Sequence, residues 1–406
     1  MSEAYIVRVA RSPIGRARKG SLAGVRPDDL GAAMVKALLE QVPSLDPALI
    51  EDVLIGCAQP AGEQGYNLGR VISELAGLPD VPGATVNRYC SSSLQTIRMA
   101  AHAIKAGEGD IFIAGGVECV SRFDKGKSDG LPDTKNPKFA EAEARTKEFA
   151  MGKNLPWTPG EGLADMYVTM LQTAENVAQH AGVSREDQDE FAALSQNRAE
   201  AAIARGFFER EITPYTLEDG TVVKADDCPR PGTTKEKLAE LKPVLADSMG
   251  EAATVTAGNA CPLNDGAAAV LVMSERKVNE LGIEPLARVV SSAVTGLNPE
   301  IMGLGPVKAS ELALARAGLT IDEIDLVEIN EAFAAQVVPS ARALNIPYEK
   351  LNVNGGAIAL GHPFGMTGAR IMATLINGLT ERKGRFGLET MCVGGGQGMA
   401  MIIERV

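Results

Sequence analysis

The chain has 406 residues and a formal net charge of -12; apolar residues make up 45% of it and aromatics only 4%. That length favours two or three domains over one small core, and the plentiful Gly and Ala suit an α/β protein with small residues at helix–sheet contacts. The acidic balance excludes a nucleic-acid partner, which needs a basic face; any anionic ligand must find local Arg or Lys. The six cysteines (Cys57, Cys90, Cys119, Cys228, Cys261, Cys392) show neither CxxC nor Cys/His spacing. Neither a metal site nor a disulfide framework is therefore expected. MSEAYIVRVARSPIG enters strand-like sequence without an apolar signal core, no segment has the apolar length of a membrane span, and IIERV is not a peroxisomal address. A cytoplasmic location is the expectation.

In chain order, an amphipathic helix carrying Leu30, Met34, Leu38 and Leu39 leads through a short link into the strand VLIG ending at Gly56. A β-rich run then ends at Tyr89, and a helix is predicted from Cys90, with Leu94, Ile97, Ala101 and Ile104 on its buried face and Ser91 to Ser93 in its first turn. The strand DIFIAGGVE follows. Residues 122–253 differ in character: they hold much of the charge, the one Trp and several helical patterns, and are too long for a connection. They read as an inserted lid or ligand-binding subdomain. Within it, Thr234 ahead of Lys237 and Leu238 is a helix-start signal. A helix with Leu312, Leu314 and Ala317 then runs into LTIDEIDLVEIN, repeating the opening plan. Laying Ile50-Glu51-Asp52-Val53 on Ile324-Asp325-Leu326-Val327 carries Cys90 to Phe364, inside NGGAIALGHPFGMTGAR, and brings DIFIAGGVE alongside LETMCVGGG. A duplicated α/β domain is the economical explanation.

Four segments carry candidate chemistry. Cys90 at a helix start is placed where the dipole and free backbone N–H groups lower a thiol pKa; the competing reading is an inert buried Cys. His362 lies in a Gly-rich turn among Gly355, Gly356, Gly361 and Gly365, whereas His102 and His180 fall in helical patterns. If the two halves pack about a pseudo-twofold axis, His362 and Cys90 meet as a nucleophile and its base. Cys392 ends a strand before Gly394-Gly395-Gly396. No helix follows to receive a pyrophosphate, so GGGQG is read as a tight hairpin facing an oxyanion, with Cys392 as a weak acid beside it. Asn330, in EINEAF, ends an apolar strand with an amide able to hold a water or a substrate oxygen.

Together these segments closely resemble the thiolase family, essentially end to end. VNRYCSSSLQ, GGVECVSR, TAENVA, RPGTT, TAGNACPLNDGAAA, MGLGPVKA, INEAF, GGAIALGHPFGMTGAR and CVGGGQG occur in its order and spacing. The resemblance implies an α/β fold of duplicated thiolase-type βαβαβαββ domains, stacked as a five-layer α-β-α-β-α core with an inserted loop domain. The N-terminal thiolase domain would take residues 1–121 and 254–280, the loop domain binding coenzyme A 122–253, and the C-terminal thiolase domain 281–406. It implies Cys90 as acylated nucleophile, His362 as its base and Cys392 as second acid/base. Asn330 would hold a water that forms one oxyanion hole with His362, and the N–H groups of Cys90 and Gly394 would form the other. Met170, Arg230, Ala257, Cys261 and Phe333 match coenzyme A contacts, with Arg230 suited to a phosphate or the adenine.

The chain departs from the family pattern at Ser93 (where Gly is common), at Thr169-Met170-Leu171-Gln172 and at Cys261. The missing His before Thr-Ala-Glu leans toward broad 3-ketoacyl-CoA thiolysis over a dedicated acetoacetyl-CoA enzyme. The implied activity is ping-pong acyl transfer through a Cys thioester. It cleaves 3-ketoacyl-CoA with coenzyme A, or runs backward as a Claisen condensation, in fatty-acid β-oxidation. Coenzyme A is then a substrate, no cofactor is needed, and a homodimer or homotetramer is expected. The alternatives are a decarboxylating condensing enzyme and a non-catalytic acyl-CoA or lipid carrier on the same fold.

Overall fold

The computed structural model describes residues 2–406. The first half of the fold runs β1 (Ala4–Arg11), α1 (Pro27–Glu40), β2 (Asp52–Gly56), α2 (Leu68–Leu75), β3 (Gly83–Val86), α3 (Ser92–Ala106) and β4 (Ile111–Cys119). The insertion follows, with α4 (Met170–His180) and α5 (Arg185–Ala204) its longest well-packed helices. The chain then returns to the first half as β5 (Asn264–Ser274). The second half runs β6 (Ala287–Gly296), α6 (Gly305–Ala317), β7 (Leu326–Ile329), α7 (Ala334–Ala343), α8 (Thr367–Arg382), β8 (Phe386–Val393) and β9 (Gln397–Arg405).

The strands form one mixed sheet in the order β7-β8-β9-β6-β1-β5-β4-β2-β3, with Gly15–Arg16 pairing on β5. Outward from the β1–β6 junction the two halves have the same order: β1, β5, β4, β2, β3 on one side and β6, β9, β8, β7 on the other. The counterpart of β3 is reduced to Leu351, which bridges Val327 in parallel. The duplication expected from the sequence is therefore present in the topology, with one strand of the second copy worn down to a single bridge. The halves join along the sheet only through Tyr5↔Arg288 and Ile6↔Ala287.

Helices cover both faces, which explains the near-continuous apolar runs in the central strands. In β5, Ala268, Val270 and Val272 face a central cluster with Leu94, Ile97 and Ile371, whereas Ala267, Ala269, Leu271 and Met273 face Leu30, Met34 and Leu38 of α1. In β9, Met399, Met401 and Ile403 face the same central cluster, and Ala400 and Ile402 face Ala309 and Ala313 of α6. This is the period-2 alternation of a strand buried on both sides.

Helices α3 and α8 pack on one another in the middle. Gly368 permits the approach, since a Cβ there would collide with the Leu94 backbone. Ser93, one of the departures noted above, is buried, and its hydroxyl accepts the Ala369 N–H at 2.9 Å. Helix α5 packs on α7, and α4 packs on α7 and on the 299–304 turn. The expected helix start is present: the Thr234 side chain accepts the Lys237 N–H and caps residues 235–239.

Candidate active site

Strand β3 ends at Val86, and a single 3-10 turn, Tyr89–Ser91, precedes α3. Tyr89 has φ 42, a left-handed backbone that bulky residues resist. The Tyr89 N–H donates to Asn87 Oδ1 at 2.8 Å, and the Ser92 hydroxyl donates to the Tyr89 carbonyl at 2.7 Å. The constrained turn sets Cys90, 8% exposed, at the wall of a cavity of about 700 Å³. Phe364, Met170 and Gly394 share that wall.

The helix start was expected to lower the Cys90 pKa. Instead burial pushes the thiol up to about 11, against the N–H groups of Gly394 and of Cys90 itself, which pull it down. The helix proper begins two residues later, at Ser92, and desolvation of the thiolate outweighs the nearby donors. Near neutral pH the Cys90 thiol is therefore protonated.

His362 sits in the turn between residues 360 and 367. Gly361 adopts φ 112, and a Cβ there would lie 2.7 Å from the Asn264 amide; the same Asn264 accepts the His362 N–H at 2.9 Å. The His362 Nδ1 is 2.6 Å from Thr367 Oγ1. The Thr367 hydroxyl donates its own hydrogen to the Pro363 carbonyl at 2.8 Å, so its oxygen accepts and the ring proton belongs on Nδ1. That leaves an Nε2 lone pair, met at 3.2 Å by Asn330 Nδ2. Burial first, then the Arg370 charge, pulls the imidazole pKa down to about 3. His362 is thus a neutral ring whose unprotonated Nε2 accepts from Asn330, and the ring packs against Phe364 of the cavity wall, ring centroids 5.1 Å apart.

Asn330 follows β7, with its Oδ1 buried and without a partner among the described residues. The parallel neighbour β8 carries Cys392, whose sulfur accepts Gln336 Nε2 at 2.8 Å. Burial, and next the charge of the Cys90 thiolate, raise Cys392 well above the ordinary thiol range. After β8 the chain turns through Gly394-Gly395-Gly396 and re-pairs at Val393↔Gln397. Gly395 and Gly396 have φ 74 and 76, which glycine adopts without strain. The hairpin read from the sequence is present, and it presents the Gly394 N–H to the Cys90 sulfur.

Of the expected coenzyme A contacts, Met170, Cys261 and Phe333 pack with Cys392 in one small cluster with Met302 and Ala332. The Cys261 N–H donates to the Ala332 carbonyl at 3.0 Å, and Ala260 bridges Phe333. Arg230 and Ala257 are exposed and belong to neither this cluster nor the cavity wall. The Arg230 N–H is held by Gln196 Oε1 at 2.9 Å, which fixes its backbone and leaves the guanidinium in solvent.

Gln336 and Thr367 escaped the sequence reading, for each matters only through a partner distant in sequence or across a turn. Gln336→Leu keeps the volume but leaves the Cys392 sulfur without its donor. A lost buried hydrogen bond of this kind costs roughly 1–3 kcal/mol. We expect a fall of about tenfold in the exchange of acetyl-CoA α-protons with solvent, read by NMR in deuterated buffer.

A thiol with two N–H groups at its sulfur, a neutral imidazole with an unprotonated Nε2 and a second buried thiol make an arrangement suited to acyl transfer. No group of three or more His, Cys, Asp or Glu able to hold a metal occurs among the described residues, nor any helix long and apolar enough to cross a membrane.

Comparison with known proteins gives the family. The thiolase N-terminal domain matches residues 4–276 and the thiolase C-terminal domain residues 283–405. The chain belongs to the thiolase family. This thiolase is 46% identical over 417 residues to the "Beta-ketoadipyl-CoA thiolase" of Acinetobacter baylyi, covering 100% of both chains. It is 45% identical, with the same coverage, to the "3-ketoacyl-CoA thiolase" of Bacillus subtilis. The crystal structure of the Bacillus anthracis acetyl-CoA acetyltransferase superposes with a TM-score of 0.86 at 36% identity, covering 100% of this thiolase and 99% of that chain. This thiolase is an acyltransferase.

Proposed function

We propose that this thiolase cleaves 3-ketoacyl-CoA by a ping-pong acyl transfer through a thioester on Cys90. His362 Nε2 takes the thiol proton as sulfur attacks the 3-keto carbon. The C2–C3 bond breaks, and its electron pair stays with the acetyl-CoA enolate, which is protonated at C2 by Cys392. A second coenzyme A then gives its thiol proton to the Cys392 thiolate and displaces the acyl group, and the departing Cys90 thiolate recovers its proton from His362. The N–H groups of Cys90 and Gly394 stabilise the oxygen developing on the acyl carbon. Asn330 acts beside His362 on the thioester oxygen of the enolate, its free Oδ1 accepting from a bound water. Run backward, the same steps condense two acyl-CoA molecules. The observation that carries this reading is the Cys90 sulfur at the cavity wall, held by the Gly394 N–H and its own N–H.

The stacked halves would form the five-layer core, with residues 122–253 as the loop domain and residues 254–280 returning to the first half. Contacts of α3 with α8 and the pairing of β5 with β4 and β1 support this. Coenzyme A would pass Met170, Cys261 and Phe333, with Arg230 and Ala257 at the outer end. A homodimer or homotetramer in the cytoplasm belongs to the same proposal.

For the acyl group, straight-chain fatty acyl substrates of β-oxidation and the 3-ketoadipyl group in the relatives' names both fit a 3-ketoacyl site. At the cavity wall the Lys135 ammonium lies 5.1 Å from the Tyr167 ring centre and 2.7 Å from Glu143, so an acyl tail ending in a carboxylate would compete with Glu143 for that charge. Steady-state thiolysis of acetoacetyl-, 3-ketohexanoyl- and 3-ketoadipyl-CoA tests this. The expected result is turnover of all three, with 3-ketoadipyl-CoA having the highest kcat/KM; a sharp optimum at acetoacetyl-CoA overturns it.

A further inference from the structure

The His362 turn is held at both ends by buried carboxylates. At its beginning, Glu331 accepts from Ser195 Oγ at 2.6 Å, Asn352 Nδ2 at 2.8 Å and the Ile358 N–H at 3.1 Å. A Cβ on Gly356 would collide with that carboxylate. All of these partners belong to the second half or to α5. At the end of the turn the holder comes from the other half. Glu118, wholly buried in β4, accepts the Gly365 N–H at 3.0 Å.

The same Glu118 oxygen accepts the Ala58 N–H at 2.8 Å. Its other oxygen accepts Gln64 Nε2 at 2.7 Å and the Gln59 N–H at 3.2 Å, with the Cys57 sulfur at 3.8 Å. Five donors converge on one side chain. Two of the donor residues, Ala58 and Gln59, line the cavity with Cys90, and a third, Gly365, follows Phe364 of the same wall. The fit is close: a Cβ on Gly365 would collide with the Val117 carbonyl, and one on Gly116 with the Gly365 carbonyl.

We infer that Glu118 is a positioning residue for acyl transfer, a carboxylate that clamps the His362 turn of the second half onto the Cys90 half. The inference rests on the acyl-transfer reading above. Glu118 touches none of the reacting atoms; it acts through Gly365 on the placement of His362, and through Ala58 and Gln59 on the cavity wall. Its charge also opposes a thiolate on Cys90. The titratable groups facing it among the described residues are the thiols of Cys57, Cys90 and Cys119, with Asp265 and Arg122 beyond Cys119. Burial against its donors leaves the Glu118 pKa raised to about 7.

The test is Glu118→Gln in the full chain, with two readouts. An amide must turn its NH2 toward one pair of donors, so the turn shifts. Since a misplacement of about 1 Å costs on the order of 100-fold in rate, kcat for thiolysis should fall by about that factor, well beyond any rise in KM. Alkylation of Cys90 by iodoacetamide, followed by mass spectrometry of its peptide, should move its midpoint to lower pH, because the opposing charge is gone. A purely structural residue would not make the nucleophile easier to ionise. Glu118→Asp keeps the charge but falls about 1.5 Å short of Gly365, one C–C bond. It should lose kcat without moving the alkylation midpoint, and it carries the test should the Gln variant not fold. A kcat within about twofold of wild type in either folded variant, or an unmoved midpoint in Glu118→Gln, overturns the inference. Wild-type chain without thiolysis would instead overturn the acyl-transfer reading, whereas the alkylation readout needs no substrate.

Discussion

Cys90→Ala is expected to reduce thiolysis by roughly four to six orders of magnitude while acyl-CoA still binds, the size of effect seen when a nucleophile is removed from a preorganised site. The fold should tolerate the change. Cys90 sits at the cavity wall, so losing one sulfur enlarges a space that already exists instead of opening a void in a packed core. The N–H groups that hold the sulfur remain, as does the constrained Tyr89 turn. Disappearance of 3-ketoacyl-CoA measures turnover, and calorimetric titration with acyl-CoA measures binding. Wild-type turnover in the variant would remove Cys90 from the mechanism.

The second expectation concerns His362 and the resting state of the pair. With Cys90 raised to about 11 and His362 lowered to about 3, the pair near neutral pH is thiol and imidazole, not thiolate and imidazolium. Alkylation of Cys90 should therefore climb by about tenfold per pH unit from pH 7 to 10 with no plateau near neutrality, because only the thiolate reacts. Substrate changes this, since proton transfer to Nε2 can accompany attack. His362→Ala should then cost about 100- to 10,000-fold in kcat/KM, the usual worth of a positioned general base. It should leave the alkylation profile of the free thiol nearly unmoved. A plateau at neutral pH would show a preformed ion pair. The linkage sign follows from the depressed imidazole. A His buried neutral must charge on unfolding, so its contribution to stability is complete above the unfolded pKa of about 6.5 and is lost as pH falls toward 3.

The legible parts of this chain were those with local causes. The amphipathic spacing of Leu30, Met34 and Leu38 gave α1, the small and apolar residues after Cys90 gave α3, and Gly394-Gly395-Gly396 gave the hairpin. The repeat was visible because both halves preserve the order of helix, strand and Gly turn. Illegible were the groups whose role is fixed by partners far along the chain. Glu118 reads as the end of an apolar strand, and only the docked second half supplies its Gly365 donor. Gln336 reads as a polar residue in a helix until Cys392 is placed beside it. The direction of the Cys90 pKa was misjudged for a related reason: a helix start is local, whereas burial depends on everything packed around the sulfur. The reduction of the second copy's third strand to Leu351 goes with breakers on both sides, Pro347 before it and Asn352, at φ 42, after it.

Finally, the two halves share only two residue pairs along the sheet, so the backbone ladder contributes little to holding them together. Their adhesion comes from side chains of the middle helices and from a few polar ties such as Ser93 to Ala369. The sulfur and the imidazole that we propose react arrive from opposite sides of that joint, so their register depends on how the halves pack. Catalytic competence in this molecule is thus a property of the seam more than of either piece.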